Sequence, residues 1–146
     1  MQLETVFSFC SSLALISWIL LFIFYKKSWV YVFLFSFVIM LLALFYVFFI
    51  AQGMGGDSAG GFGSLAEVAL LFQKDEALLA GWIHYLAFDL FVGMWEASDA
   101  AKRNINRWLL LPCMIFTFML GPIGLLLYFI IRGIASKNVL QNPYAA

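Results

Sequence analysis

One stretch of this chain holds side chains able to move protons in an otherwise inert background. His84 and Asp89 stand five residues apart within EALLAGWIHYLAFDLFVGMWEASDAAKRNINR, residues 76–107. His84 is the sole histidine, and Glu96, Asp99, Lys102 and Arg103 follow in the same stretch. Imidazole and carboxyl groups are the usual carriers of general acid–base catalysis, because their protonation can be tuned towards the working pH. The residues around them are apolar over a membrane-spanning length. A charge on Asp89 would there cost about 2.5–3.5 kcal/mol on insertion scales. Asp89 must therefore be protonated, hydrogen-bonded or paired. On a helix advancing about 100° per residue, Tyr85, Asp89, Glu96, Asp99 and Arg103 share one face. Leu86, Leu90 and Met94 occupy the opposite one. His84 lies at the edge of the polar stripe with Phe91 and Trp95, about 140° from Asp89.

Each of these residues also has a purely structural reading. Asp89 would bond a hydroxyl of a neighbouring helix, with Ser17, Ser36, Tyr46 and Thr117 as candidates. His84 would be a satisfied core or interface histidine, and Asp99, Lys102 and Arg103 a solvated helix end. Metal binding has little to build on. A di-iron bundle needs several carboxylates and paired ExxH motifs, and the chain has one His and no ExxH. A single non-haem metal on His84, Asp89 and Glu67 is a thin alternative, and haem on His84 a thinner one. No metal and no cofactor is expected. Cys10 and Cys113 stand in apolar runs outside any CxxC or Cys/His spacing and read as small hydrophobes. The Gly-rich run 51–63, AQGMGGDSAGGFG, fits neither GxGxxG nor a P-loop. It reads as a surface loop, or alternatively as a lid at the membrane face carrying Asp57.

The elements that must position these side chains follow from composition. The chain has 146 residues, 65% of them hydrophobic and 11% charged, with zero net charge. Soluble domains carry roughly 25% charged residues, so this is an integral membrane protein of one domain, residues 1–146. No basic block or tail is present in the sequence, which argues against nucleic acid as a partner. The reading is an all-α, polytopic fold with four transmembrane helices over 6–24, 30–50, 77–97 and 108–131. The second run is rich in β-branched and aromatic residues, but an isolated strand in lipid leaves its backbone unpaired, so helix prevails. Ser64-Leu-Ala-Glu67 fits a capping box opening a short interfacial helix between the second and third spans. In the fourth run, Gly121-Pro122 predicts a kink. Four spans put both ends of the chain on one side. Lys26, Lys27, Lys102, Arg103 and Arg107 lie on the other, against Lys74, Arg132 and Lys137, which favours cytoplasmic short loops. The first run reads as a retained helix rather than a cleaved signal.

GWIHYLAFDLFVGMWEASDA and LLLPCMIFTFMLGPIGLLLYFIIR resemble the abscisic-acid-deficient-four-like family, whose plant members are needed for neoxanthin synthesis. The resemblance runs from about Gly63 to Arg132. It is carried by the Trp-x-His, Asp-Leu-Phe and Gly-Pro-x-Gly-Leu-Leu elements and is strongest to short bacterial members. It implies an integral membrane protein of the bacterial inner membrane type, lacking the plastid-targeting segment of plant members. It also implies isomerisation of an epoxy-carotenoid, in which an epoxide opens to an alcohol and an allene forms without electron transfer. His84 and Asp89 would serve as the acid–base pair. Trp82, Tyr85, Phe88 and Trp95 would line the cleft, with Glu96 beside them. The expected partner is a carotenoid or other isoprenoid lipid, with a homo-oligomer as a further expectation. The alternatives are a non-catalytic carotenoid, quinone or lipid binder, and a small structural subunit of a membrane complex.

Overall fold

The chain is all-helical in a computed structural model that describes residues 2–55 and 60–136, with no strand among the described residues. Helix α1 is Leu3–Phe24. A tight turn leads into α2, Ser28–Gly53, pinned by the Tyr31 hydroxyl donating to Tyr25 O at 2.5 Å. Residues Leu34–Ile39 of α2 form a π-helical turn. Helix α3, Leu65–Leu71, starts at Ser64, whose hydroxyl accepts the Glu67 N–H at 3.2 Å. The Glu67 carboxylate accepts the Gly63 N–H at 3.0 Å, so the expected capping box forms with its acidic arm one residue further back. Asp57 and the tail from 137 onward, including Lys137, lie outside the described residues.

Helix α4, Asp75–Lys102, is the centre of the molecule and packs against α1, α2 and the last two helices. Its length comes from a run free of proline, with Asp75 and Glu76 in the first turn and Lys102 in the last, each complementing the helix dipole. Ala77, Ala80, Ala87, Gly93, Ala97 and Ala100 are buried along it. Small residues let neighbouring backbones approach, which is how helices associate where no hydrophobic force separates them from lipid. Polarity is inverted relative to a water-soluble protein. Phe35, Phe37, Leu44, Val47 and Phe88 are exposed, whereas Glu96, Asp99, Thr117 and Arg132 are buried. Helices α1, α2 and α4 are long and apolar enough to cross a membrane, and they contain the expected spans 6–24, 30–50 and 77–97.

The fourth run departs from expectation. In place of one kinked span over 108–131 there are two short helices, α5 at Arg107–Leu120 and α6 at Pro122–Ser136. Gly121 between them has φ 49° and ψ −99°, a conformation that a residue with a Cβ rarely adopts. Thr117 bonds Glu96, and Arg132 pairs with Asp99. Those partners are three residues apart on α4, about 4.5 Å along its axis, whereas a continuous helix would separate 117 from 132 by about 22 Å. Helix α6 therefore folds back beside α5, with Gly124 against the Thr117 backbone. The result is a helical hairpin whose tip reaches the middle of α4 at Asp89 and whose two open ends lie near Asp99.

Candidate functional site

The hairpin break creates its own polar requirements. Pro122 has no N–H, so the carbonyl four residues earlier, Phe118 O, loses its helical donor. The Tyr85 hydroxyl supplies one at 2.8 Å. Gly121 N–H bonds Thr117 O at 2.9 Å. The Asp89 carboxyl is packed against Gly121. A Cβ added there would lie 2.9 Å from Asp89 Oδ1 and 3.3 Å from Oδ2. Asp89 thus faces the start of α6, where the positive end of the helix dipole favours a carboxylate. Its Oδ2 is buried and has no hydrogen-bond partner among the described residues. Of the four hydroxyls anticipated for it, Ser17 bonds Leu13 O of its own helix and Thr117 bonds Glu96, while the Tyr46 ring lies beside His84 and Ser36 is exposed.

Glu96, two turns further along, is 0% exposed. Thr117 donates its hydroxyl to Glu96 at 2.9 Å to Oε1 and 3.1 Å to Oε2. One turn beyond, Asp99 is the hub of a buried network. Arg103 Nε lies 2.9 Å and Arg132 Nε 3.0 Å from Asp99 Oδ2, and the Tyr128 hydroxyl donates to the same oxygen at 2.7 Å. Arg132 is 1% exposed and lies over the rings of Trp95 and Phe129. Asp99 and Arg103 were expected as a solvated helix end. Instead the returning α6 covers Asp99, while Lys102 stays exposed. The sequence pattern shows Tyr128 as one more aromatic of the apolar run 108–131 and Arg132 as a cation just past its end, so neither stands out as a partner of Asp99. Their four-residue spacing on one helical face was the available signal.

His84 sits elsewhere. It is exposed, stacks on Phe88 with ring centroids 4.4 Å apart, and lies 5.6 Å from the Tyr46 ring. Together with Ile39, Ala43, Ala87 and Phe91 these residues line an apolar groove of about 310 Å³ between α2 and α4. The groove begins at the last residue of the π-helical turn, Ile39. π-turns of this kind often mark functional positions in helices. His84 and Asp89 therefore have different neighbours, one facing α2 and the other the hairpin tip.

A second cleft, of about 450 Å³, opens between α1 and the first half of α4 and is lined by Leu3, Glu4, Phe7, Asp75, Leu78, Leu79 and Trp82. Trp82 donates its indole N–H to Ser11 Oγ at 3.0 Å and packs on Phe7 and Tyr85. Trp82, Tyr85 and Asp89, at i, i+3 and i+7, carry one helix face from this cleft to the hairpin tip. Of the residues expected to line a cleft, Trp82 and Tyr85 adjoin this one, Phe88 belongs to the α2 groove, and Trp95 and Glu96 are packed against the hairpin. Among the described residues, no three His, Cys, Asp or Glu side chains gather as metal ligands would. Glu67 is far along the chain in the α3 cap, holding Gly63.

Residues 5–128 match the ABA DEFICIENT 4-like family, and the chain belongs to it. The chain is 27% identical over 81 residues to the protein ABA DEFICIENT 4, chloroplastic, of Arabidopsis thaliana. The match covers 55% of this chain and 33% of the plant protein, so the chain spans about a third of its curated relative. No solved structure matches the chain significantly.

Proposed function

We propose that this ABA DEFICIENT 4-like protein is a membrane-embedded isomerase of a carotenoid or related isoprenoid, resident in an inner membrane and working by acid–base chemistry at Asp89. The observation that carries the proposal is the position of Asp89. It is a carboxyl at mid-span without a cation, set against a broken helix, at the inner end of a face that starts in the α1–α4 cleft. Holding an ionisable group there is costly, and intramembrane ionisable residues usually mark function. A long apolar ligand would enter along Phe7, Leu78 and Trp82 and present its functional end to Asp89 beyond Tyr85.

The separation of His84 from Asp89 shapes the chemistry. One carboxyl can serve as both acid and base. Neutral Asp89 gives its proton to the epoxide oxygen as the C–O bond breaks. Its other oxygen takes the vinylic proton, and the freed C–H electron pair forms the new double bond of the allene. The proton count and the oxidation level are unchanged, and Asp89 returns to its neutral form. Tyr85, whose proton is engaged by Phe118 O, keeps lone pairs that can accept from neutral Asp89. His84 then lines the separate α2 groove.

That groove supports a second reading, non-catalytic binding of a carotenoid, quinone or lipid beside His84. Both readings are tested by the absorbance spectrum and lipid mass spectrum of protein purified from its native membranes. A co-purifying polyene is expected. A colourless protein carrying bulk phospholipid alone would contradict both. His84→Ala separates them, because retention of the polyene falls only if the α2 groove is its seat.

A further inference from the structure

The turn between α1 and α2 meets the start of α5 in a cluster of cations that the chemistry at Asp89 does not use. Lys26, Lys27 and Arg107 line a cavity of about 260 Å³ with Ile23, Phe24 and Tyr25, and no acidic residue is among the lining. Arg107 Nη2 donates to Phe22 O at 3.3 Å, a carbonyl in the last turn of α1 that has no helical donor. Its guanidinium lies 5.2 Å from the Phe22 ring and 5.7 Å from the Tyr25 ring, so packing and a hydrogen bond fix its position. None of the three cations is ion-paired among the described residues. The carboxylate at this end of the molecule, Asp99, is already held by Arg103 and Arg132.

We propose that this cavity binds the phosphodiester headgroup of an anionic phospholipid. Three positive charges around a cavity at a helix end match a phosphate, and basic pockets between helices at the membrane surface bind such headgroups. The neighbouring surfaces suit the rest of a lipid. Ile23 lines the cavity, Trp29 packs on Phe24 of its lining, and Ile19, Trp108 and Leu109 are exposed one turn from Ile23 or next to Arg107 in sequence, offering acyl chains an apolar wall and the interface two tryptophans. A free phosphate would gain nothing from that wall. A zwitterionic headgroup would bring its ammonium against the same three cations.

The test uses the full chain in detergent with added phosphatidylglycerol or phosphatidylcholine, and counts bound lipid by native mass spectrometry. At least tenfold greater retention of phosphatidylglycerol is expected. The double variant Lys26→Gln/Lys27→Gln, at two exposed positions, should abolish the preference, and Lys26→Arg/Lys27→Arg should keep it. Equal retention of the two lipids would overturn the proposal, as would a preference unchanged in the Gln variant. Displacement of phosphatidylglycerol by inorganic phosphate at millimolar concentration would assign the site to a free anion and overturn the lipid. None of these outcomes depends on activity at Asp89.

Discussion

At the scale of single residues, the buried polar side chains divide by what holds them. Asp99 is satisfied by two arginines and a tyrosine, and Glu96 by a threonine, whereas Asp89 keeps a buried oxygen unbonded. The first two groups should therefore behave as structure and the third as chemistry. Arg132→Gln leaves part of the Asp99 charge uncompensated and should destabilise the protein by about 3–5 kcal/mol, the range for breaking a buried pair. Lys102→Gln, at an exposed position, should change stability by less than about 0.5 kcal/mol. Thr117→Val removes the hydroxyl that serves Glu96 and should cost about 1–3 kcal/mol. Thermal unfolding in one detergent, followed by circular dichroism, ranks the three. A Thr117→Val variant as stable as wild type would remove Glu96 from the structural group.

At the scale of elements, the hairpin of α5 and α6 brings the polar partners of α4 together. Gly121→Ala places a Cβ on a backbone at φ 49° and within 2.9 Å of Asp89 Oδ1. Strain of this kind costs of order 1–3 kcal/mol. The variant should lose both thermal stability and turnover. Gly93→Ala would push a methyl into the Trp18 ring and should lower stability while leaving Asp89 untouched. Wild-type melting temperature in Gly93→Ala would contradict the close approach of α1 and α4. The first three spans were legible because runs such as 30–50 are apolar on every face and of bilayer length. The hairpin was not, because hydropathy is blind to direction. Gly121-Pro122 breaks a helix whether the chain continues or returns. The choice is made by tertiary partners, Thr117 on Glu96 and Arg132 on Asp99, that no local pattern shows. The geometry of the candidate site was legible in part. The wheel placed Tyr85, Asp89, Glu96 and Asp99 on one face, and that face meets the hairpin. The same spacing sets His84 about 140° from Asp89, so their pairing rests on the family resemblance and not on a shared helix face.

At the scale of the whole molecule, three helices long enough to cross and a returning hairpin would put the start of α1 and the end of α6 on opposite sides, where four crossings would put them together. Lys26, Lys27, Lys102, Arg103, Arg107 and Arg132 then share one side, facing Lys74 on the other among the described residues. Six against one is a steeper bias than the five against two that a four-span reading gives for the same residues, and it favours a cytoplasmic placement of the hairpin's open ends. Single variants Lys27→Cys, Ile134→Cys and Lys74→Cys test this with a membrane-impermeant maleimide on intact spheroplasts, since native Cys10 and Cys113 are buried. Positions 27 and 134 should label alike and position 74 opposite to both. Labelling of 134 together with 74 would restore four crossings and remove the half-membrane cleft. The cleft follows from the same architecture. A hairpin whose tip stops at Asp89 leaves the space between α1 and the first half of α4 open, and Asp89 lies two turns beyond Trp82, the innermost residue of that cleft on α4.

The most direct test of that arrangement compares wild type with Asp89→Asn in bilayers containing an epoxy-carotenoid, with products resolved by chromatography and mass spectrometry. General acid–base groups contribute about 10²- to 10⁴-fold. Wild type should form an isomer of unchanged mass. Asp89→Asn should lose at least about a hundredfold in rate while accumulating normally in the membrane. Equal turnover by the two proteins, or no isomer from wild type, would contradict the assignment of Asp89 as the group that moves the proton.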